Sequence, residues 1–379
     1  MKGFALFFQA FRAEMQCVGQ DPGIALVVIG GVLIYALFYP LPYREEVVRD
    51  IPFITVDQDR TELSRKLIHM ADAHDSARWE GEAADPDEAK RMIADGSAAA
   101  VLVIPEGFER GIRRGRGATV AAWADASYFL LYRNVLTAMS EAAGTLSAGI
   151  ELRSYAARGK PSVMAEALSD PVQWSRRSLF NPAMGYGVYI VPGVLILILQ
   201  QTLLIGVMMA TLKMRSRPGR LESGEHALSS AGRFVFYLVL YSIHAAIYCL
   251  VIFRLNGIPL ETHFLTIWVF LLPYFLSVYQ LACFMSRWIR RRETALQLVL
   301  FTSMPILFAS GFAWPLESIP AWIRMLSMLI PSTSGISGFI RMSRMGADLH
   351  DVALEWGMLW TLAGVYFLAR RVSVRKGIA

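Results

Sequence analysis

Apolar residues come in long blocks along this chain, separated by shorter charged stretches. A helix needs roughly 20 mostly apolar residues to cross the hydrocarbon core of a bilayer, and six blocks have about that length. They lie at residues 23–41, 186–212, 234–253, 264–284, 295–314 and 352–369. The pattern predicts an α-helical polytopic membrane protein with six transmembrane helices. The last block is the least apolar, because Glu355 lies near its start.

The stretch between the first two blocks, residues 42–182, has a different pattern, in which short apolar runs alternate with segments of helical spacing. Strands are predicted at 51–56, 76–79, 98–104 and 120–123, and helices at 61–73, from 86 onward and at 128–157. Strands that alternate with helices are typical of βαβ units. The sequence therefore predicts an α/β extracytoplasmic domain inserted between the first and second transmembrane helices.

Carboxylates and histidines in this domain are the first candidates for chemistry. Asp57 and Asp59 follow the first predicted strand, where they could bind a metal, act as an acid–base pair or cap the next helix. A cap is favoured, because a helix is predicted to begin directly afterwards. His69 and His74 have no cysteine or carboxylate cluster at metal-ligand spacing. Since GxGxxG, the P-loop, HExxH and GxSxG are absent, the sequence predicts no catalytic residue, cofactor or metal site.

Basic residues are distributed unevenly among the segments that flank the predicted helices. With both termini placed in the cytoplasm, the cytoplasmic segments hold 15 basic residues and the short outer segments hold four. This distribution follows the positive-inside rule and places the 42–182 domain outside, where its 18 basic and 21 acidic residues nearly cancel. The pI of 9.3 therefore reflects membrane topology and predicts no binding to nucleic acid.

The residues before the first block, 1–22, predict a helix at the membrane surface. From Phe4 to Gln16, Phe and Leu alternate with Gln, Arg and Glu, which is typical of an amphipathic interfacial helix. The block that follows, 23–41, is interpreted as an uncleaved anchor. Its apolar run exceeds that of a signal peptide, and no small-residue cleavage site follows it.

The predicted transmembrane helices hold very few ionisable residues, and His244 is the only clear one near the centre of a helix. Transport coupled to an ion gradient usually needs carboxylates or basic groups inside the membrane. The chain also has no phosphate-binding loop of its own. If it pumps, a separate subunit that binds ATP is the simplest source of energy. The longest cytoplasmic segment, 213–233, could form a short helix on which that subunit acts, or it could be only a charged connector, and the residues alone leave both alternatives open.

The outer segment 315–350 is apolar, but proline and glycine interrupt it too often for a membrane crossing. It is predicted to form a re-entrant or interfacial hairpin, which membranes tolerate only where protein or water satisfies the backbone. Together with the last five transmembrane helices and the loop 213–233, it forms a predicted transmembrane domain that covers 183–379.

Several short motifs resemble the bacterial ABC type-2 transporter permeases over nearly the whole chain. They are Asn181-Pro182, Tyr189-Ile190-Val191-Pro192-Gly193, Trp314-Pro315, Ile319-Pro320, Trp322, Pro331-Ser332, Gly335, Gly338-Phe339-Ile340-Arg341, Ile51–Asp57 and Val103–Phe108. The resemblance implies a six-helix half-transporter that pairs with a second copy or a paralogous permease and with two cytoplasmic ATP-binding-cassette subunits. It also implies export of a drug-like or lipid-like substrate, with membrane lipid and a periplasmic adaptor protein as further partners.

The resemblance also assigns roles to residues in the cytoplasmic segments. The region 220–230 would be a coupling helix that receives force from the ATPase, and Phe4–Gln16 would be a connecting helix. The contacts with the ATPase would come from Arg220, Leu221, Glu222 and Glu225. The sequence departs from the family here, since the usual run Arg-Glu-x-Gly-Thr is replaced by Arg220-Leu221-Glu222-Ser223-Gly224.

Three polar residues in the second predicted transmembrane helix, Gln200, Gln201 and Thr202, are candidates for substrate contacts between two copies of the chain. Hydrogen bonding between helices is the commoner role for such residues, so that alternative stays open. Two other functions also stay open, a membrane-anchored scaffold or receptor whose outer domain binds a partner, and an integral-membrane enzyme. Export is favoured, because six helices exceed what an anchor needs and no Asp-rich or His-rich set supports an enzyme.

Overall fold

The structure is a computed structural model that describes residues 2–44, 48–161, 164, 178–181, 185–216 and 227–375. The chain divides into two compact units, a helical unit of Met1–Glu46 with Leu179–Ala379 and an α/β unit of Val47–Ser178. The helices are α1 (Lys2–Gly19), α2 (Pro22–Ala25), α3 (Val32–Phe38), α4 (Glu62–Asp72), α5 (Pro86–Ala94), α6 (Phe108–Arg113), α7 (Phe129–Ala157), α8 (Tyr186–Arg215), α9 (Ala227–Ala246), α10 (Phe253–Leu255), α11 (Phe264–Met285), α12 (Arg292–Ala309), α13 (Ala321–Ser327), α14 (Pro331–Met345) and α15 (Ala353–Arg375). The strands are β1 (Ile51–Asp57), β2 (Ala77–Glu82), β3 (Ala100–Ile104) and β4 (Ala121–Ala124).

Four helical segments are long and apolar enough to cross a membrane, and they coincide with the first four predicted transmembrane helices. They are Pro22–Tyr43, Tyr186–Arg215, Leu228–Leu255 and Phe264–Met285. The fifth and sixth predicted blocks are also helical, as α12 and α15, but charged residues at their ends make them less apolar. No other segment among the described residues meets the length and hydropathy of a crossing helix, so a total of six stays a prediction.

Two of the crossing segments contain π-helical turns, which hold one residue more than an α-helical turn. Leu26–Gly31 continues α2 into α3, and Ile247–Ile252 continues α9 into α10. Tyr248, in the second of these turns, donates a hydrogen bond from its hydroxyl to the carbonyl oxygen of Val32, 3.0 Å away. The first and third crossing segments are therefore joined next to their irregular turns.

Helix α8 lies at the centre of the helical unit, and 22 of its 30 residues are buried. It packs against α11, α12 and α14. Gly206 allows the first crossing segment to approach closely, because a Cβ at this position would overlap the side chain of Val28. From α11, the Tyr274 hydroxyl donates a hydrogen bond to the carbonyl oxygen of Ile196, 2.7 Å away. The central helix is therefore held from several sides.

The segment predicted as a hairpin, 315–350, contains the short helix α13 and the buried helix α14. Gly335 lies against Tyr274 and Gly338 lies against Phe270, so α14 runs antiparallel to α11. Both glycines permit this contact, because a Cβ at either position would overlap the facing ring. A helix of this length spans about 22 Å, less than the roughly 30 Å hydrocarbon core, which agrees with a segment that does not cross alone.

The α/β unit contains a four-stranded sheet in the order β2-β1-β3-β4. β1 pairs in parallel with β2 and with β3, and β4 is antiparallel to β3. Successive side chains of a strand point to opposite faces, so Phe53 packs with α4 and α7 while Ile54 packs with α5. The predicted strands, the predicted βαβ pattern and the long helix predicted at 128–157 are confirmed.

The cap of the helix that follows β1 is made by Thr61, whose hydroxyl accepts from the N–H of Ser64, so the predicted assignment of that cap to Asp57 and Asp59 was wrong. The two aspartates instead hold the turn after β1. The Asp57 carboxylate accepts hydrogen bonds from the backbone N–H of Asp59 and of Arg60 at 3.0 and 2.9 Å. Asp59 accepts from the N–H of Gly107 and of Glu109 at 2.8 and 2.9 Å, so it ties β1 to the start of α6. Burial alone would raise the pKa of Asp59, but these hydrogen bonds lower it overall. Within the described ranges, no group of three potential ligands could hold a metal ion.

Replacing Asp59 with alanine is expected to lower the free energy of unfolding of the α/β unit by about 2 kcal/mol, because several donors then lose their acceptor. Denaturant unfolding of the full chain in detergent, followed by tryptophan fluorescence, measures this loss. Asp87→Ala is the matched control, since Asp87 is exposed and makes only a surface ion pair with Lys90. Equal losses for both variants would contradict the bridging role of Asp59.

Candidate functional site

The amphipathic helix predicted at Phe4–Gln16 is confirmed and extends over Lys2–Gly19 as α1. One face packs against α9. The carboxyl end of α1 contacts α2 and α8, and large apolar side chains are exposed on its free side at Phe4, Phe8 and Met15. An open groove of about 360 Å³ runs along the free side and is lined by Ala5, Phe8, Gln9, Arg12, Ala13 and Gln16.

A glycine allows α1 to lie very close to α9. A Cβ on Gly232 would overlap the carbonyl oxygen of Phe7 and come within 3.3 Å of the Ala10 side chain. The helix that follows the predicted coupling loop therefore contacts the backbone of α1 directly. This close approach also brings the next residue of α9, Arg233, within reach of an acidic side chain on α1.

That acidic side chain is Glu14, which has no exposed surface. Its carboxylate accepts from Arg233 Nε at 2.8 Å and from the Tyr237 hydroxyl at 2.9 Å. The same guanidinium donates from Nη2 to Thr211 Oγ1 on α8 at 3.1 Å. A buried charge is tolerated when an opposite charge and hydrogen bonds satisfy it, and here three helices contribute those groups. We call Glu14, Arg233, Tyr237 and Thr211 the Glu14 cluster.

A second cluster lies where α1 leads into the first crossing segment. Asp21 caps α2, accepting from the N–H of Ile24 at 3.3 Å. Its carboxylate also contacts Lys213 Nζ at 2.9 Å and Arg292 Nη1 at 2.8 Å. Asp21 thus joins the start of the first crossing segment to the end of α8 and the start of α12. We call these three charged residues the Asp21 cluster.

Hydrogen bonding explains the acidity of Asp21. The bond from Lys213 lowers its pKa most, burial opposes this, and Arg292 adds to the lowering, so that the pKa falls to about 2. Because the pKa is depressed in the folded protein, Asp21 stabilises the fold at neutral pH. That contribution is lost as the pH falls from about 4 through about 2.

The variant Asp21→Asn should reveal this pH dependence, because asparagine can still cap α2 but carries no charge. At pH 7 we expect the wild type to unfold at a higher temperature than the variant. Below pH 4 the difference should shrink as Asp21 takes up its proton. Thermal unfolding in detergent at a series of pH values measures the gap, and a gap that stays constant down to pH 2 would contradict the assignment.

Together, the two clusters lie at both ends of the predicted coupling loop, 213–233. Lys213 is near the end of α8, which precedes the loop, and Arg233 is near the start of α9, which follows it. The predicted coupling residues Arg220, Leu221, Glu222 and Glu225 lie outside the described residues. The structure describes the helices on either side of the loop. A displacement of Lys213 would reach α12 through Asp21, and a displacement of Arg233 would reach α1 through Glu14.

The predicted path residues lie side by side in α8 and connect it to three different helices. Gln200 Nε2 donates to Ser332 Oγ on α14 at 3.2 Å. Gln201 Nε2 donates to Ser303 Oγ on α12 at 3.3 Å. The Tyr241 hydroxyl on α9 donates to Thr202 Oγ1 at 3.0 Å. All three contacts are hydrogen bonds between helices, the commoner role of such residues. Contact with a substrate stays a prediction.

The sequence interpretation did not single out Glu14, Asp21 or Arg233. One signal was available, since Glu14 and Asp21 are the only acidic residues before Glu45, in a segment assigned to the basic side of the membrane. An acidic residue next to an apolar helix is costly to bury, so it is expected to pair with a basic group. The identity of that group could not be read from the chain, because Arg233 is 219 residues from Glu14.

Comparison with known proteins identifies a family and two similar proteins. The family described as "ABC-2 family transporter protein" matches residues 23–369. The probable multidrug ABC transporter permease YbhR of Escherichia coli K12 is 22% identical over 369 residues, which cover 95% of this chain and 94% of that protein. The protein of the same name from Escherichia coli O157:H7 gives the same values.

Proposed function

This chain belongs to the ABC-2 family of transporter proteins and is the membrane subunit of an ABC transporter, and we propose that it exports amphipathic or hydrophobic molecules. The match covers nearly the whole chain, which supports a permease and disfavours a scaffold that merely shares one domain. The substrate class rests on the multidrug description of the relatives from Escherichia coli. A bacterial inner membrane, with both termini in the cytoplasm and the α/β unit outside, completes the proposal.

The energy for transport comes, in this proposal, from a separate ATP-binding subunit, which the family implies. The observation that carries the proposal is the pair of ion clusters at the ends of the 213–233 loop. A force on that loop acts on α8 through Lys213 and on α9 through Arg233. Asp21 passes the displacement from Lys213 to the first crossing segment, and Glu14 passes the displacement from Arg233 to α1.

The substrate path lies, in this proposal, between two permease copies. α12 supports this arrangement, because Phe301, Met304 and Phe308 present a highly exposed apolar face on it, with Phe301 84% exposed. Gln201 contacts the same helix through Ser303, on the side of α12 that is turned toward α8. Alternating access of this path, with the α/β unit available to a periplasmic adaptor protein, is the mechanism we propose.

Copurification tests the proposal directly. The tagged chain, expressed in its own host, should retain an ATP-binding-cassette subunit, and the reconstituted complex should hydrolyse ATP faster when lipophilic compounds are added. A chain that never retains such a subunit, or that translocates solute alone on a pH gradient, would contradict the proposal. In the first case, a partner bound only to the α/β unit would favour the scaffold or receptor.

Removing the two acidic side chains of the loop should separate assembly from coupling. We expect Glu222→Ala with Glu225→Ala to lower substrate-stimulated ATPase activity about tenfold, within the range of coupling free energies between distant sites. Thermal stability should be unchanged, since neither residue belongs to the two ion clusters. The control is Glu80→Ala with Glu82→Ala, an equal charge change on an exposed strand of the α/β unit. Equal effects of both double variants on ATPase activity would argue against a coupling role for the loop.

A further inference from the structure

The connection between α11 and α12, residues Arg287–Arg292, is a compact turn with an unusual surface. The N–H of Arg287 and of Trp288 donate back to carbonyl oxygens at the end of α11, and the buried side chain of Ile289 anchors the turn. Trp288 nevertheless has 63% of its surface exposed. We call this turn the basic–aromatic turn.

Two arginines in the turn carry charge that the described residues leave uncompensated. Arg290 and Arg291 are both exposed, and neither forms an ion pair with a carboxylate of the part of the chain that the structure describes. Arg292 differs, because Asp21 neutralises it. The nearest acid along the chain is the exposed Glu293, so the turn keeps a net positive charge.

An apolar stripe begins one helical turn beyond this charge. Leu296 and Leu300 lie four residues apart on α12, so they share a face, and they are 37% and 58% exposed. Basic groups and an exposed indole therefore adjoin an exposed aliphatic surface. Tryptophan favours the boundary between headgroups and acyl chains, because its ring is apolar and its N–H is polar.

We propose that the basic–aromatic turn is a binding site for an anionic phospholipid. Arg290 and Arg291 contact the phosphate, Trp288 lies at the level of the glycerol and ester groups, and an acyl chain follows Leu296 and Leu300. Basic pockets beside transmembrane helices bind anionic headgroups by this combination of charge and apolar contact. The site requires that α12 lies in a membrane, but it does not require that the protein pumps, so it stands or falls separately from the proposed export.

The alternative occupant is an acidic surface of a protein partner, such as the ATPase subunit. The positive charge of the turn would attract an anionic phospholipid and an acidic protein surface alike. The leucine stripe favours lipid, because a soluble protein docking on the turn would not cover a transmembrane helix face. The exposed indole favours lipid as well, since it lies next to that stripe.

Native mass spectrometry of the purified full chain in detergent tests the site. Phosphatidylglycerol, phosphatidylethanolamine and inorganic phosphate are titrated separately. We expect tight binding of phosphatidylglycerol, weaker binding of phosphatidylethanolamine and none of inorganic phosphate. Arg290→Gln with Arg291→Gln should weaken phosphatidylglycerol binding about 30-fold, the effect of two ordinary charge contacts at an anionic surface. Trp288→Ala should weaken the binding of both lipids several-fold.

Two matched controls separate the site from general charge and general exposure. Arg114→Gln with Arg116→Gln removes the same charge from exposed positions in the α/β unit. Trp322→Ala removes a tryptophan that is also 63% exposed, on α13. Both controls should bind phosphatidylglycerol like the wild type. The proposal is overturned if the control arginine pair weakens binding equally, or if the turn variants keep lipid binding and lose only a copurifying ATPase. Thermal unfolding without added lipid should be unchanged in all variants, which confirms that they are folded.

Discussion

Arg233→Met is expected to lower the free energy of unfolding by about 3–5 kcal/mol, because it leaves the fully buried carboxylate of Glu14 without its cation. No other basic side chain among the described residues forms an ion pair with Glu14. The Tyr237 hydroxyl remains but carries no charge. Denaturant unfolding in detergent micelles measures the loss, and ATPase assays of the complex should show that substrate stimulation is lost with it.

Neutralising the partner should restore most of that stability. In the double variant Glu14→Gln with Arg233→Met, no buried charge remains, so we expect recovery of more than half of the loss. Lys90→Met serves as the control, because its pairing with Asp87 is exposed and contributes little. If the double variant is as unstable as Arg233→Met alone, the Glu14 cluster contributes packing and not charge compensation.

Gly232→Leu is expected to displace α1 from α9. The new side chain would overlap the carbonyl oxygen of Phe7, and the backbone of a helix cannot move aside locally. Overpacking of this kind costs about 1–3 kcal/mol, and here it also pulls Glu14 away from Arg233. We therefore expect lower thermal stability together with loss of substrate-stimulated ATPase activity.

Gly364→Leu is the matched control for this variant. Gly364 lies in α15, is exposed, and has open space where a Cβ would be placed. The same substitution there should leave both stability and activity close to those of the wild type. If Gly232→Leu behaves like this control, α1 is only loosely attached to α9. The proposal that the Glu14 cluster passes a displacement of the loop to α1 would then be wrong.

Local patterns explain why much of the fold could be predicted. The apolar run Ile51–Val56 depends on neighbouring residues only, so the strand followed from the sequence. The hydrogen bonds that Asp59 accepts from Gly107 and Glu109 span 48 and 50 positions, and no local pattern specifies them. The apolar blocks likewise predicted the four helical segments that are long and apolar enough to cross a membrane. The fifth and sixth blocks were harder to assess, since α12 begins with Arg292 and Glu293 and α15 ends in arginines.

The candidate site was harder to predict than the fold, because its contacts join residues that are distant in the chain. Asp21 meets Arg292 across 271 positions, and no local pattern specifies that pairing. Gln200, Gln201 and Thr202 were found because three consecutive polar residues stand out in an apolar helix. Their partners, such as Ser332, became visible only when the helices were packed together.

The distance between Glu14 and Arg233 along the chain has a consequence for biosynthesis. At the usual rate of roughly 5–20 residues per second, about 10–40 s pass between the synthesis of the two residues. Throughout that interval the carboxylate of Glu14 lacks the guanidinium that pairs with it in the folded protein. Because α1 packs mainly against α9, we expect the first segment to be translated to be among the last to reach its final position.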